Sequence, residues 1–320
     1  MILPPTSKKH FVKKIFDYFV LFFTFTVLLF VTLMGVQWFS NSVQSFFTGT
    51  IGYYDSNVFV AGTVAAQKPP LKPTVHLKLD ADSAISLGFS QGVPVRIFSK
   101  EAQKKLPIAS LTKLMTALVV LENYELNSKI VISKNAMAQE GEQGRLTLNE
   151  SLSVKDLLYI SLIESSNRAT YALSEVMGLP EFLSAMNKKS LDLGMINTHF
   201  TDSTGLGGQS YSTAEDLAKL SEYLFLHYPL FNEIISLKEY NLYVNGVLHH
   251  RLVNTNKLLG TAGIIGGKTG WTNEARGCFM VIQKTGPNGN YFVHIVLGAE
   301  DRFLEMQKLI NLVQNDTPNL

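Results

Sequence analysis

The sequence contains one cysteine in 320 residues, Cys278, so a disulfide bond within the chain is excluded. The formal net charge is only +2, a balance that indicates no nucleic-acid partner. There is no internal repeat and no low-complexity tract. The glycine-rich segment at residues 202–208 follows no apolar strand and carries no GxGxxG or P-loop pattern, which excludes a phosphate-binding loop of those types. The length suits one large domain or two small ones.

The amino-terminal segment predicts a membrane anchor. Lys8, Lys9, Lys13 and Lys14 precede residues 18–39, which contain no charged side chain. About 22 helical residues span about 33 Å, enough to cross a hydrocarbon core of about 30 Å. A cleaved signal peptide has a shorter apolar region, of roughly 7–15 residues. We therefore favour a transmembrane helix over a signal peptide or a buried core helix.

The positive charges set the expected orientation and the domain boundaries. No lysine or arginine follows the apolar run until Lys68, so the positive-inside rule places the amino terminus in the cytoplasm. Proline-rich sequence near that lysine predicts an extended connector. We predict a cytoplasmic tail at residues 1–17, a transmembrane signal anchor at 18–39, a linker at 40–74 and an extracytoplasmic domain at 75–320. The expected location is a bacterial cytoplasmic membrane, crossed once.

The apolar patterns of the extracytoplasmic domain predict an α+β fold. Alternating residues between about 85 and 97 indicate a β-hairpin, and a second pair of strands is expected at 277–282 and 291–297. The intervening sequence, to about 231, is mostly helical in pattern, and a last helix is expected at about 301–313. This order predicts an antiparallel β-sheet flanked by helices, with a mostly helical subdomain.

A serine and a lysine three residues apart stand at the start of a predicted buried helix. Pro107 precedes Ser110 and Lys113, and Leu114 and Leu118 continue an apolar helical pattern. Residues three apart share one helix face, so the hydroxyl and the amine can come within hydrogen-bond reach. An amine in that position can activate serine without histidine. Backbone N–H groups at the helix start can stabilise an oxyanion.

Two further motifs follow in order, Ser165-Ser166-Asn167 and Lys268-Thr269-Gly270. Ser-x-x-Lys followed by motifs of these types is found in penicillin-binding proteins and class A β-lactamases. The surrounding sequence, over about residues 80–315, resembles serine-type D-alanyl-D-alanine carboxypeptidases, the low-molecular-weight penicillin-binding proteins. The resemblance implies the DD-peptidase/β-lactamase-like fold. It also implies two partners, the peptidoglycan stem peptide and β-lactam antibiotics, and no cofactor or metal.

The resemblance, together with the chemistry, implies the catalytic roles. Ser110 attacks the terminal D-Ala–D-Ala peptide bond and forms an acyl-enzyme, and Lys113 takes the proton of its hydroxyl. Ser165 relays a proton to the leaving amine, and Asn167 holds either the substrate backbone or Lys113. Burial and the neighbouring Lys268 are both expected to lower the pKa of Lys113, because each disfavours a second positive charge.

The remaining implied roles concern substrate binding. Lys268 and Thr269 bind the terminal carboxylate of the substrate, and Arg302 assists them. Gly270 has no side chain, so the substrate backbone can lie close to it as an added strand. The backbone N–H groups of the nucleophile and of Trp271 form the oxyanion hole.

Most of these residues also have a purely structural interpretation. Ser165 and Asn167 are common turn and cap residues, the third motif follows two glycines and could be an ordinary loop, and Arg302 could be a solvated residue at a helix start. His249 and His250 suggest a metal, but neighbouring residues of a strand point to opposite faces. No metal site is therefore predicted.

Alternative activities use the same motifs. A DD-endopeptidase acting on cross-links needs the same residues and differs in what its cleft admits. A β-lactamase is disfavoured because no Glu-x-x-Leu-Asn pattern occurs at residues 191–202. A non-catalytic peptidoglycan-binding protein would be expected to lose its nucleophile or base. Arg168 departs from the family, which commonly has an acidic residue there. Many members of the family continue into a further β-rich domain and a carboxy-terminal amphipathic helix, and we predict neither for this sequence.

Overall fold

The computed structural model describes residues 77–90, 93–141, 143–285 and 290–316. The predicted tail, transmembrane segment and linker lie outside these residues. Within the described part, no helix combines the length and the apolar character needed to cross a membrane.

The described residues form strands at both ends of the domain and helices between them. The strands are β1 (Ser83–Ser90), β2 (Val93–Lys100), β3 (Leu106–Pro107), β4 (Lys129–Val131), β5 (Ser151–Ser153), β6 (Tyr211–Ser212), β7 (Glu239–Val244), β8 (Val247–Val253), β9 (Ile264–Thr272), β10 (Arg276–Lys284) and β11 (Tyr291–Ala299). The α-helices are α1 (Thr112–Asn123), α2 (Lys134–Met137), α3 (Val154–Ile163), α4 (Asn167–Glu175), α5 (Leu179–Asp192), α6 (Ala214–His227), α7 (Pro229–Ser236) and α8 (Arg302–Asp316). A 3₁₀ turn, Ala109–Leu111, precedes α1.

Five strands form one antiparallel sheet in the order β2-β1-β11-β10-β9. The two predicted hairpins supply four of these strands. The fifth, β9, carries the Lys268 motif and lies at one end of the sheet. The predicted α+β architecture with an antiparallel sheet is confirmed.

The sheet separates two apolar clusters because successive strand residues point to opposite faces. Ile85, Met280 and Ile295 belong to the larger cluster, with the helices of the central subdomain. Ala84 and Val281 face the other way and pack with Met306, Leu309 and Ile310 of α8. The helical subdomain and α8 thus cover opposite faces of the sheet, and the catalytic motifs lie on the side of the subdomain.

Helix caps explain where several helices begin. Ser153 and Asp156 form a reciprocal capping box at α3. The hydroxyl of Thr213 caps α6 by accepting from the amide of Asp216 at 3.0 Å. Pro180 follows the end of α4 and lies in the first turn of α5. Proline is tolerated there because the first N–H groups of a helix have no partner within it.

The hairpin of β7 and β8 corrects the geometry expected for His249 and His250. The register shifts so that His249 has no residue opposite it, which is a β-bulge. The two rings therefore do not point to opposite faces, and their Nδ1 atoms are within hydrogen-bond distance of each other. His249 also contacts Glu150 at 2.8 Å, and His250 contacts Glu164 at 3.1 Å. The four side chains form a chain that ends beside Ser165.

Candidate active site

The nucleophile candidate Ser110 lies in the 3₁₀ turn just before α1. Ala109, the residue before it, has a φ of +47°, a conformation that non-glycine residues adopt infrequently. Gly205, with a φ of +83°, packs directly on this turn, and a Cβ there would overlap the carbonyl of Ala109. Glycine is required at position 205 for both reasons. The turn that carries Ser110 is thus supported by the loop at residues 202–210.

Lys113 is fully buried and its ammonium group has three acceptors. Its Nζ lies 2.9 Å from Oγ of Ser110, 2.7 Å from Oδ1 of Asn167 and 2.7 Å from the carbonyl oxygen of Thr204. A neutral lysine has two N–H groups and one lone pair. If the N–H groups donate to Asn167 and Thr204, the lone pair is directed at the hydroxyl of Ser110. This arrangement suits a base that removes the serine proton.

Burial lowers the pKa of Lys113 to about 7, and the charge of Asp202 opposes this shift. About half of the Lys113 side chains are then neutral near pH 7. Of the two predicted causes, burial is confirmed and Lys268 is not among the groups that shift Lys113. The repulsion between the two ammonium groups lowers the pKa of Lys268.

Lys268 is the second buried lysine of the site. Its Nζ donates to Oγ of Ser165 at 2.7 Å and to the carbonyl of Thr269 at 3.0 Å. Burial, then the charge of Lys113, then that of Arg302 lower its pKa well below the usual value. Ser165 has a φ of +62°, and this places its hydroxyl toward β9.

The segment at residues 139–143 anchors the second motif. The Nδ2 of Asn167 donates to the carbonyl of Glu140 at 2.9 Å, and Oγ of Ser166 donates to the carbonyl of Gln143 at 2.6 Å. Ser166 also caps α4. Of the two roles predicted for Asn167, the structure contains the contact with Lys113. Arg168 points to the same segment, and its Nε donates to the carbonyl of Gln139 at 3.3 Å.

The third motif lies on β9, the terminal strand of the sheet. A Cβ on Gly270 would come within 3.0 Å of the backbone nitrogen of Ser110, so β9 runs directly past the nucleophile. The hydroxyl of Thr269 is bonded to that of Thr255 at 2.7 Å. Trp271 is 56% exposed and stands at the outer end of the motif. A terminal strand has unpaired backbone groups with which an extended peptide can pair.

Arg302 begins α8 and adds positive charge near Lys268. Its Nε is buried and has no hydrogen-bond partner among the described residues. Its guanidinium lies 4.9 Å from the centre of the Phe303 ring. Burial of the guanidinium lowers the pKa of Arg302. A buried guanidinium nitrogen without a partner, close to a buried lysine, is suited to receive an anionic group.

Three residues of this site were not assigned a role from the sequence. Thr204 supplies a carbonyl to Lys113, Asp202 organises the loop that carries Thr204, and Thr255 holds Thr269. Thr204 acts through its backbone, so its side-chain chemistry gives no signal. The pattern of Asp202 followed by small residues and glycine is typical of a turn, and this was the available clue.

Residues 66–301 match the family of D-alanyl-D-alanine carboxypeptidases, peptidase family S11. The chain is 32% identical over 252 residues to the D-alanyl-D-alanine carboxypeptidase DacF of Bacillus subtilis. This match covers 75% of this chain and 64% of DacF. It is also 34% identical over 231 residues to a D-alanyl-D-alanine endopeptidase of Pseudomonas aeruginosa, covering 69% of this chain and 73% of the relative. The chain belongs to this family.

Solved structures agree with this D-alanyl-D-alanine carboxypeptidase family membership. The Streptomyces K15 DD-transpeptidase superposes with a TM-score of 0.68 and 28% identity, over 74% of this chain and 97% of that chain. A D-alanyl-D-alanine carboxypeptidase from Mycobacterium tuberculosis gives a TM-score of 0.69 at 26% identity, over 79% of this chain and 96% of the other. The resemblance inferred from the three motifs is therefore confirmed, and with it the DD-peptidase-like fold.

Proposed function

We propose that this protein is a serine DD-carboxypeptidase that removes the terminal D-Ala from peptidoglycan stem peptides through an acyl-enzyme on Ser110. One observation carries the proposal. Lys113 is buried, has its pKa lowered to about 7, and lies 2.9 Å from the serine hydroxyl. A base with a pKa near the working pH, within hydrogen-bond reach of its proton, is what general base catalysis requires.

In the acylation step, Oγ of Ser110 attacks the carbonyl carbon of the penultimate D-Ala, and neutral Lys113 takes the proton. The backbone N–H groups of Ser110 and Trp271 stabilise the resulting oxyanion. Ser165 relays a proton to the nitrogen of the terminal D-Ala, the C–N bond breaks and D-Ala leaves. Water then hydrolyses the ester, with the same groups moving the proton in reverse order.

The charges near β9 account for recognition of a free carboxyl terminus. Lys268 is buried, and its pKa is lowered first by burial, then by the charge of Lys113 and then by that of Arg302. A substrate carboxylate supplies the missing negative charge and restores the charged form of Lys268. The hydroxyl of Thr269 donates to that of Thr255 in the structure, and in the proposal it turns this proton to the carboxylate. Gly270 leaves room for the substrate backbone to pair with β9.

The test is intact-mass spectrometry of the full-length protein in detergent after incubation with benzylpenicillin, beside Ser110→Ala. The expected result is a mass increase of one penicillin that is absent in the variant. D-Ala release from a pentapeptide stem is then measured. A folded wild-type protein that gains no mass and releases no D-Ala would contradict the proposal and favour a peptidoglycan-binding module.

Endopeptidase action on cross-links is the second candidate, because endopeptidases of Pseudomonas aeruginosa and Escherichia coli are each 34% identical to this chain. The two activities share the acylation machinery and differ in the group that leaves. Parallel kinetics on a pentapeptide and on a cross-linked muropeptide dimer separate them. A kcat/KM that is higher for the dimer would replace the carboxypeptidase assignment.

We also propose that residues 18–39 anchor the protein in the bacterial cytoplasmic membrane, with the catalytic domain outside. The support is the uncharged apolar run and the four lysines before it. Full-length protein is expected in the membrane fraction after alkaline washing, and a protease added to spheroplasts should digest the catalytic domain. Release by the wash, or protection from the protease, would contradict the anchor or its orientation.

A further inference from the structure

Asp202 is the centre of a compact hydrogen-bond network beside the active site. Its Oδ1 accepts from the amide and the hydroxyl of Thr204, both at 2.8 Å, and from the amide of Gly205. Its Oδ2 accepts from the hydroxyl of Ser210 at 3.1 Å. Burial acts to raise the pKa of the Asp202 carboxyl, but these hydrogen bonds outweigh it and the net shift is downward. The side chain is therefore a carboxylate at neutral pH.

The two residues that Asp202 holds both touch the catalytic machinery. The carbonyl of Thr204 accepts from Nζ of Lys113 at 2.7 Å. Gly205 packs against the carbonyl of Ala109, in the turn that carries Ser110. Asp202 makes neither contact itself. It fixes the backbone of the loop that makes both.

The charge of Asp202 also acts on Lys113 through space. The charged groups around Lys113 are Lys268 on β9, with Arg302 of α8 behind it, and Asp202 on the loop; α4 contributes Asn167, which is neutral. Asp202 is the anion of this set. Its attraction favours the protonated lysine, whereas burial favours the neutral one.

We propose that Asp202 is a positioning residue whose carboxylate orients the Thr204 carbonyl toward Lys113 and adjusts the basicity of that lysine for the removal of the Ser110 proton. A fully desolvated lysine without an anion nearby would be neutral but too weak a base to take the serine proton efficiently. Asp202 restores part of its basicity. This inference rests on the proposed function, in which Lys113 is the general base.

The charge can be removed with little change of shape in Asp202→Asn, whose amide oxygen can still accept from Thr204 and Gly205. Ser210→Ala is the matched control, because it removes a hydrogen bond to the same carboxylate and keeps the charge. Full-length proteins are labelled with lysine carrying ¹³C at Cε, and the resonance of Lys113 is followed against pH by NMR. Lys113→Arg identifies that resonance by its loss. This readout does not depend on activity.

The expected result is a pKa of Lys113 that is lower by about one unit in Asp202→Asn and little changed in Ser210→Ala. The rate of acylation by benzylpenicillin should follow. Its acidic limb moves to lower pH by the same amount, and its plateau falls because the base is weaker. The acidic limb of the pH–rate profile reports the coupled titration of Lys113 and Lys268. The pH shift of this limb between the variants is therefore compared, and its position in one variant is not assigned to one lysine.

An unchanged Lys113 titration in folded Asp202→Asn would overturn the inference and leave Asp202 a structural residue. If Asp202→Asn does not fold, Asp202→Ser repeats the test, and loss of the fold in both would also assign the carboxylate to stability alone. The pKa of Lys113 could differ between wild type and Asp202→Asn while the wild-type protein is never acylated. That result would refute the proposed function and leave the electrostatic role of Asp202 standing.

Discussion

The two buried lysines of the site have the same chemistry but different surroundings. Lys113 lies in the helical subdomain, with three oxygen acceptors and the carboxylate of Asp202 nearby. Lys268 lies on the edge of the sheet, with two acceptors and further positive charge from Lys113 and Arg302. The first environment gives Lys113 a pKa of about 7, so this lysine can act as a base near neutral pH. The charges that act on Lys268 are both positive, and the proposed substrate would bring a negative charge as its carboxylate.

This difference predicts different responses to mutation, because one lysine handles a proton and the other binds a charge.

Loss of the base should have the largest effect. In Lys113→Met, the rate of acylation by benzylpenicillin should fall by about 10³-fold, within the range for general base catalysis. Lys113→Arg should be equally slow, because a guanidinium stays protonated at working pH. Stopped-flow acylation measures both. An arginine variant that retains the wild-type rate would show that this position needs only a charge and would remove the distinction between the two lysines.

Loss of the binding lysine should be milder and selective for substrates with a carboxylate. Lys268→Ala should lower kcat/KM for a pentapeptide by roughly 10- to 100-fold, which corresponds to a charged hydrogen bond of about 1.5–3 kcal/mol. Lys268→Arg should recover part of the loss, since a cation is restored. Steady-state kinetics with the pentapeptide and with its C-terminal amide test this. An equal loss on both substrates would contradict carboxylate recognition.

The lowered pKa of Lys113 should also appear in the pH dependence of stability. The pKa of Lys113 is about 7 in the folded protein, against an ordinary value of 10.5. Between these two pH values the unfolded state therefore binds more protons than the folded state. The free energy of unfolding therefore gains about 1.4 kcal/mol per pH unit from this group as pH rises through that window. Below pH 7 Lys113 is charged in both states, and the full cost of burying its ammonium group is present.

The contribution is isolated by comparing wild type with Lys113→Met. Denaturant unfolding at pH 7.5 and 8.5 should give a stability difference that moves in favour of wild type by about 1.4 kcal/mol at the higher pH. A difference that is independent of pH would mean that Lys113 titrates in the fold as it does in the unfolded chain.

The smallest effect is expected at the edge strand. A methyl group in Gly270→Ala would lie 3.0 Å from the backbone nitrogen of Ser110, so β9 or the nucleophile turn must move by a few tenths of an ångström. A shift of this size should lower acylation only a few-fold, since misplacement by about 1 Å can cost about 10². The control is Gly246→Ala, in the turn between β7 and β8, where a Cβ has open space but the φ of +80° makes alanine strained. This variant should lose stability, while the acylation rate of the folded protein should equal that of wild type.

The alternation of apolar residues was enough to predict the first hairpin, because a strand with one buried face repeats every second residue. The second hairpin was predicted from two β-rich runs joined by a turn sequence, and its strands are buried on both faces. The argument from alternation failed for His249 and His250, since a bulge in the pairing of β8 with the adjacent strand β7 breaks the alternation. The apolar pattern also did not predict α5. Pro180, in the first turn of this helix, is compatible with a helix start as well as with a helix end.

The three motifs and their family were readable from the sequence, because the side chains that do the chemistry must be of particular types at short spacings. The spacing of three residues was enough to place Ser110 and Lys113 on one helix face. The groups that complete the site are brought together by the fold: the backbone carbonyl of Thr204, the carboxylate of Asp202 behind it and the hydroxyl of Thr255. Spacing could not predict the basicity of Lys113, because basicity depends on burial and on nearby charge, and the loop that supplies the charge lies about 90 residues away along the chain.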